Sequence, residues 1–224
     1  DDATLVPVMQ LVIDTALLKP AEQKWSDLGE EAARVRIAFD ALERAGQPAT
    51  RPGDRALRVT VLGAEGRPAE VVAVASAALN DKANPLGNDE KASILGELAQ
   101  AYLDTADLDA AARCIGDLDV LGATSPSLLS LTTELSRRRI TAGQAAATID
   151  ALRRVLDRTP VDTAEWLDRF LLLADARLTA DRDAHREAVL KDLHAEGPRF
   201  TSELVGPELS LRFESLLRRA QGSG

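Results

Sequence analysis

Residues 92–126 read ASILGELAQAYLDTADLDAAARCIGDLDVLGATSP, and this stretch decides the fold. Leu95, Leu98, Ala99, Tyr102 and Leu103 recur at three- and four-residue steps, the spacing of one helix face. Beyond a short polar turn, Leu108, Ala111, Ala112, Ile115 and Leu118 do the same on a second helix. The small residues Ala99 and Ala111 stand among the large Leu95, Tyr102 and Ile115, so the two helices nest closely. Asp107 is placed to cap the second helix, and Pro126 closes the pair.

Working outward, the chain breaks into further helices and pairs. Leu5 to Leu18 reads as a first helix, with Thr4 as its cap and Lys19-Pro20 as its stop. Ala21 to Ala45 reads as a long second helix with Leu28, Ala32, Val35, Phe39 and Leu42 on one face. The loop Gly46 to Gly53 then marks a boundary. Asp54–Leu62 pairs with Pro68–Leu79 around Gly63-Ala64-Glu65-Gly66, and Asp89–Asp104 pairs with Leu108–Leu121. Pro126–Arg139 pairs with Gly143–Asp157, and Thr163–Leu178 with Asp183–His194 around Thr179-Ala180-Asp181. The second helices step by about 35–40 residues, the range of helical repeats. Pro85, Pro126, Pro160 and Pro198 follow the four pairs at nearly the same place, each ending a helix and fixing the next turn. Thr201 to Arg219 is a last helix, with Pro207 near its beginning and Arg212, Glu214, Arg218 and Arg219 expected on its outer side.

Residues 92–126 resemble a tetratricopeptide repeat, through Leu95, Leu98, Ala99, Tyr102, Ala111, Ile115 and Leu118. The departures are Leu95 for the usual tryptophan, Ala106 for the usual turn glycine, and a late proline. Trp25, Leu28 and Gly29 repeat the family's Trp-x-x-Leu-Gly opening, but without its turn. The resemblance implies an all-α chain, a right-handed α-solenoid of antiparallel helix pairs with a C-terminal capping helix. Residues 1–46 form an N-terminal pair and residues 54–221 a repeat array with its cap, together one continuous solenoid. It also implies a concave surface lined by outward positions of each first helix, here Ser93, Gly96, Glu97, Gln100 and Asp104. Family members that hold carboxylate termini use lysine and asparagine there. This set is neutral to acidic, so it suits a neutral or basic peptide segment.

Composition narrows the function classes. Of 224 residues, 45% are hydrophobic and only 3% aromatic, so the core is built from Leu, Ala and Val. The formal net charge of −9 opposes nucleic-acid binding, which needs a basic footprint. The clusters Arg137-Arg138-Arg139 and Arg218-Arg219 end helices, where cations meet the dipole favourably. One cysteine, Cys114, excludes an internal disulfide framework and a cysteine-based zinc site, and it reads as a small buried hydrophobe. No apolar stretch reaches the roughly 20 residues of a membrane span. The chain lacks an initiating methionine, so it reads as a mature processed form or an excised domain. Its lack of disulfides suits the cytoplasm, and equally the periplasm if the N-terminus is a processed end. Gly222-Ser223-Gly224 reads as an added linker or a natural flexible tail, outside the fold.

No pattern of catalytic residues stands out. His185 and His194 lie nine residues apart, on different sides of a helix, without a metal-ligand spacing. Asp104, Asp107 and Asp109 lack the spacing, glycine and glutamate of a calcium loop. Gly63-Ala64-Glu65-Gly66 lacks the Gly-Lys-Ser/Thr of a phosphate loop. Trp25 and Trp166 read as core residues. The expectation is a non-catalytic scaffold that needs no cofactor or metal and binds a protein or peptide through Ser93, Glu97, Gln100 and Asp104. The alternative is a structural assembly subunit, or an excised piece of a larger repeat protein, self-associating through residues 5–18. An all-α enzyme comes last.

Overall fold

A computed structural model describes residues 2–18, 25, 29–47, 51, 53–122, 126–161, 163–201 and 205–222. Among them the chain is all-helical, with no strand. The helices are α1 (Asp2–Leu17), α2 (Gly29–Arg44), α3 (Asp54–Ala64), α4 (Pro68–Asn80), α5 (Asn88–Asp104) and α6 (Leu108–Val120). Then come α7 (Pro126–Thr141), α8 (Ile149–Asp157), α9 (Ala164–Ala180), α10 (Arg182–Glu196) and α11 (Pro207–Gln221). Single 3-10 turns at Ala145–Thr148 and Gly197–Arg199 precede α8 and follow α10. The chain forms two compact units, Asp1–Leu128 and Leu129–Gly224.

In the first unit each helix packs on the next, and α3 also packs directly on α5. α2 buries Ala32, Val35, Phe39 and Leu42, the face its spacing predicts, against Ile13 and Ala16 of α1 and Leu57 and Val61 of α3. Leu28 and the rest of the expected helix before Gly29, except Trp25, lie outside the described residues, as do Lys19-Pro20. Trp25 packs, partly buried, against this cluster. α5 is the central helix, held by α3, α4 and α6. It therefore buries Ile94 and Ala101 as well as the predicted Leu95, Leu98, Ala99 and Leu103. A helix surrounded on three sides hides more than one stripe. Ala111, Ile115 and Leu118 of α6 are buried as their spacing predicts, Leu108 and Ala112 of the same face are half-buried, and Cys114 is buried beside them.

One turn recurs along the chain. Gly46, Gly66 and Gly143 adopt left-handed φ of 72°, 67° and 77° immediately beyond α2, α3 and α7. Each donates its N–H three residues back, and the residue after it reaches five back: Gln47 to Leu42, Arg67 to Leu62, Gln144 to Arg139. This is the Schellman closure, which satisfies the last carbonyls of a helix. Ala106 closes α5 in the same way, with Asp107 N–H reaching the Tyr102 carbonyl at 2.9 Å and φ of 61° despite its Cβ. The turns at 46, 66, 106 and 143 are 20, 40 and 37 residues apart, so the last two steps fall in the range of helical repeats and the first does not. The α9–α10 connection breaks the series, because Asp181 is extended and caps α10 by accepting from Ala184 N–H.

The second unit is organised around α9, which packs on α8, α10 and α11. α9 accordingly buries Leu167, Phe170 through Ala174, Ala176 and Leu178, nearly all round. Trp166, Phe170, Phe200 and Phe213 form a continuous ring stack with centroids 5.4, 6.1 and 4.7 Å apart. Four of the chain's seven aromatic residues thus meet in one place. α9 also carries two carboxylates seven residues apart that tie other helices to it. Asp168 accepts from Arg137 of α7 and Arg212 of α11, and Asp175 accepts from Arg219 at 2.5 Å. Glu214, Arg218 and Arg219 of the last helix are exposed as expected, while Arg212 is half-buried. Arg212 and Arg219 both reach across to carboxylates of α9.

Two helix starts also move. α8 begins at Ile149 rather than Gly143, because Gly143 is spent on the Schellman turn and Ala145–Thr148 is wound as 3-10. The last helix begins at Pro207 rather than Thr201. Proline is at home at a first helical position, where its missing N–H has no intrahelical partner anyway.

Candidate functional site

Four residues of α5 carry the expected binding surface, and its local capping explains how they are displayed. The helix starts after an extended Gly87 with acidic Asp89 and Glu90 in its first turn, where the dipole favours them. It ends at the Ala106 turn. Between these ends Ser93, Gln100 and Asp104 are exposed. With Asp89 and Gly96 they form one stripe, and a Cβ at Gly96 would meet nothing within 4 Å. Gln100 donates its amide to Asp104 Oδ1 at 2.9 Å, an i,i+4 pair that orders this end of the stripe.

Glu97 departs from its neighbours. Its carboxyl turns toward α3, where it bonds Thr60, and burial pushes its pKa up from the usual 4.5 to about 7 while that hydrogen bond pulls the other way. The close approach depends on Gly63: a Cβ there would stand 2.5 Å from Glu97 Oε2. Gly63 thus does more than open an interhelix turn. The structure brings Ser93, Gln100 and Asp104 together on one surface and puts Glu97 at its edge, against the neighbouring helix.

A polar concavity of about 560 Å³ opens at the Asp89 end, its wall including Arg55, Asn84, Pro85, Asp89 and Glu90. Its key residue is Arg55, buried to 8% exposure. Arg55 donates to the Asn84 carbonyl at 2.6 Å and pairs with Glu90 at 3.4 Å, with Asp81 at 3.7 Å. Asp81 itself accepts from Asn84 Nδ2 and from the backbone of Asn84 and Ala83, which holds its carboxyl below the usual range. One buried guanidinium therefore pins the α4–α5 loop to the start of α3. With Asp89 and Glu90 against Arg55, the wall carries a surplus of negative charge. Periodicity missed this feature, because the wall comes from a loop and from residues 29 to 35 positions apart. The visible signal was the turn-rich run Asp81 to Gly87.

The remaining candidates stay structural. Cys114 is buried, and burial with nearby Asp117 pushes its thiol up to about 11, so it is not a nucleophile at neutral pH. Asp107 caps α6, accepting from Ala110 N–H at 3.0 Å. Trp166 belongs to the ring stack, with the Arg199 guanidinium 5.8 Å from its ring centroid. Arg169 is buried and donates to Thr159 Oγ1 at 2.6 Å, just past the C-terminus of α8, where the helix dipole favours a cation. Among the described residues no group of His, Cys, Asp and Glu has the arrangement of a metal site, and no helix is long and apolar enough to cross a membrane. Compared with protein families, with curated proteins and with solved structures, the chain matches none.

Proposed function

We propose that this chain is a non-catalytic scaffold, a tetratricopeptide-like α-solenoid that binds a neutral or basic protein segment along α5. The observation that carries the reading is the exposed stripe Asp89, Ser93, Gln100 and Asp104, which runs into a concavity with surplus negative charge. Two features of the fold support it. α3 packs on α5 directly, as first helices of stacked repeats do, and from Gly66 to Gly143 the Schellman turn returns at steps of 40 and 37 residues. Charge complementarity of this kind acts mainly on association rate and is screened by salt.

The test is Asp104→Lys. The position is exposed on α5, away from the buried faces of the helix, so the fold survives the exchange. A partner isolated with the parent protein should bind the variant several-fold more weakly at low salt, with the gap closing at moderate salt. Unchanged affinity at both salts removes this surface from the reading.

A second reading, self-assembly through α1, rests on its outer face. Val6, Met9, Ile13 and Ala16 face the core, yet Leu5, Val8, Leu11 and Leu18 are 41%, 53%, 65% and 84% exposed. An apolar stripe of this kind marks an interface more often than free surface. Light scattering over a wide concentration range tests it: the parent should associate and Leu11→Glu should not. A clean monomer throughout excludes it.

A further inference from the structure

In the second unit, α8, α9 and α10 enclose a partly open pocket of about 150 Å³. Its floor is carbon: Leu156, Phe170, Leu173, Ala174 and Val189. The space exists because Ala174 is the small residue in a run of large ones, Phe170 to Leu173, on a helix buried nearly all round. A volume of this order, lined by aliphatic and aromatic side chains, accepts a single benzene-sized group. No polar group of a ligand finds a partner on such a floor, so whatever is buried there must be apolar.

The rim adds a second requirement. It carries Arg153, Arg177 and Asp192, a net charge of one positive. Arg177 is held by Asp192 at 3.0 Å. Among the described residues Arg153 pairs with Asp150 at 3.6 Å, and both of these side chains are more than half exposed. That contact is long and open to water, so it holds Arg153 weakly. A guanidinium on a flexible stem at the mouth of an apolar pocket matches a carboxylate one or two bonds outside the buried group, and it binds such an anion through paired N–H donors.

We propose that this pocket binds a small apolar monocarboxylate, an aryl or branched-alkyl acid of about ten heavy atoms. The ring or branched end fills the space beside Ala174, and Arg153 closes over the carboxylate. The site shares no residue with the α5 surface, so it stands or falls independently of the scaffold reading.

The experiment titrates the full chain with phenylacetate, its neutral analogue phenylacetamide and the cationic phenethylamine, following binding by NMR. Phenylacetate should bind with a Kd of about 1 mM or somewhat tighter, in line with the efficiency of ligands this small. The amide should bind about 5- to 10-fold more weakly and the amine more weakly still, with the differences shrinking in salt. Arg153→Gln, at an exposed position, should bring the acid down to the level of the amide. Ala174→Leu should fill the pocket and abolish binding of all three. If the leucine disturbs folding, Ala174→Val and the Arg153 variant carry the test. Failure of phenylacetate to bind, equal binding of acid and amine, or indifference to Arg153→Gln overturns the proposal. Tighter binding of a peptide ending in phenylalanine than of phenylacetate would also overturn it, since the site would then serve a chain terminus.

Discussion

Glu97→Gln should raise the stability of the first unit at alkaline pH and leave it nearly unchanged near pH 4.5. The folded chain holds this carboxyl against Gly63 and Thr60, with a pKa of about 7 in place of the usual 4.5. An unfolded Glu97 loses its proton first as pH rises, so between these values the folded state binds more protons than the unfolded state. Stability must then fall as pH climbs from about 4.5 to about 7 and stay level above. Each pH unit of that window is worth about 1.36 kcal/mol. The full window sets an upper bound near 3 kcal/mol, and partial access of water to the side chain reduces the expectation to about 1–2 kcal/mol. Glutamine has the same shape and still reaches Thr60, but it cannot ionise. Urea unfolding of parent and variant at pH 5 and pH 8 reads the difference directly. Gly63→Ala supplies the control: its Cβ pushes the flexible carboxyl out toward water, so Glu97→Gln should do little in that background. A gap between parent and Glu97→Gln that is equal at both pH values would refute the reasoning.

Two further outcomes follow from single residues. Ala106→Gly should stabilise by about 0.5–1 kcal/mol, because left-handed backbone costs an L residue about 1–2 kcal/mol and glycine returns only part of that as unfolded-state entropy; an unchanged or lower melting temperature contradicts this. Cys114 should resist Ellman's reagent at pH 8 in the native state and react at once in denaturant, since burial keeps it a thiol; prompt labelling of the folded chain would place it at the surface.

The local grammar of this chain was legible in its residues. Apolar side chains three and four apart predict the buried faces of α2, α5 and α6, and Asp107 announces the start of α6. Glycines at 46, 66 and 143 sit where helices must end in left-handed backbone. These features depend on neighbours within one or two turns, so the sequence carries them without knowledge of the fold. Position 106 shows the limit even there, since the turn forms with an alanine because the helices on either side demand it.

What spacing left open is which helix a given face meets. Nothing near Glu97 in the sequence distinguishes it from Ser93 or Gln100, yet it lies against Gly63, 34 positions away, and loses its water. Arg212 looks like part of the solvated side of a last helix until Asp168 comes within reach across 44 residues. The Arg55 clasp and the pocket beside Ala174 arise in the same way, from helices and loops that meet only in three dimensions. Periodicity fixes the direction of a side chain about its own helix axis. Burial, charge pairing and empty space belong to the neighbour on the other side, and only the tertiary packing chooses that neighbour.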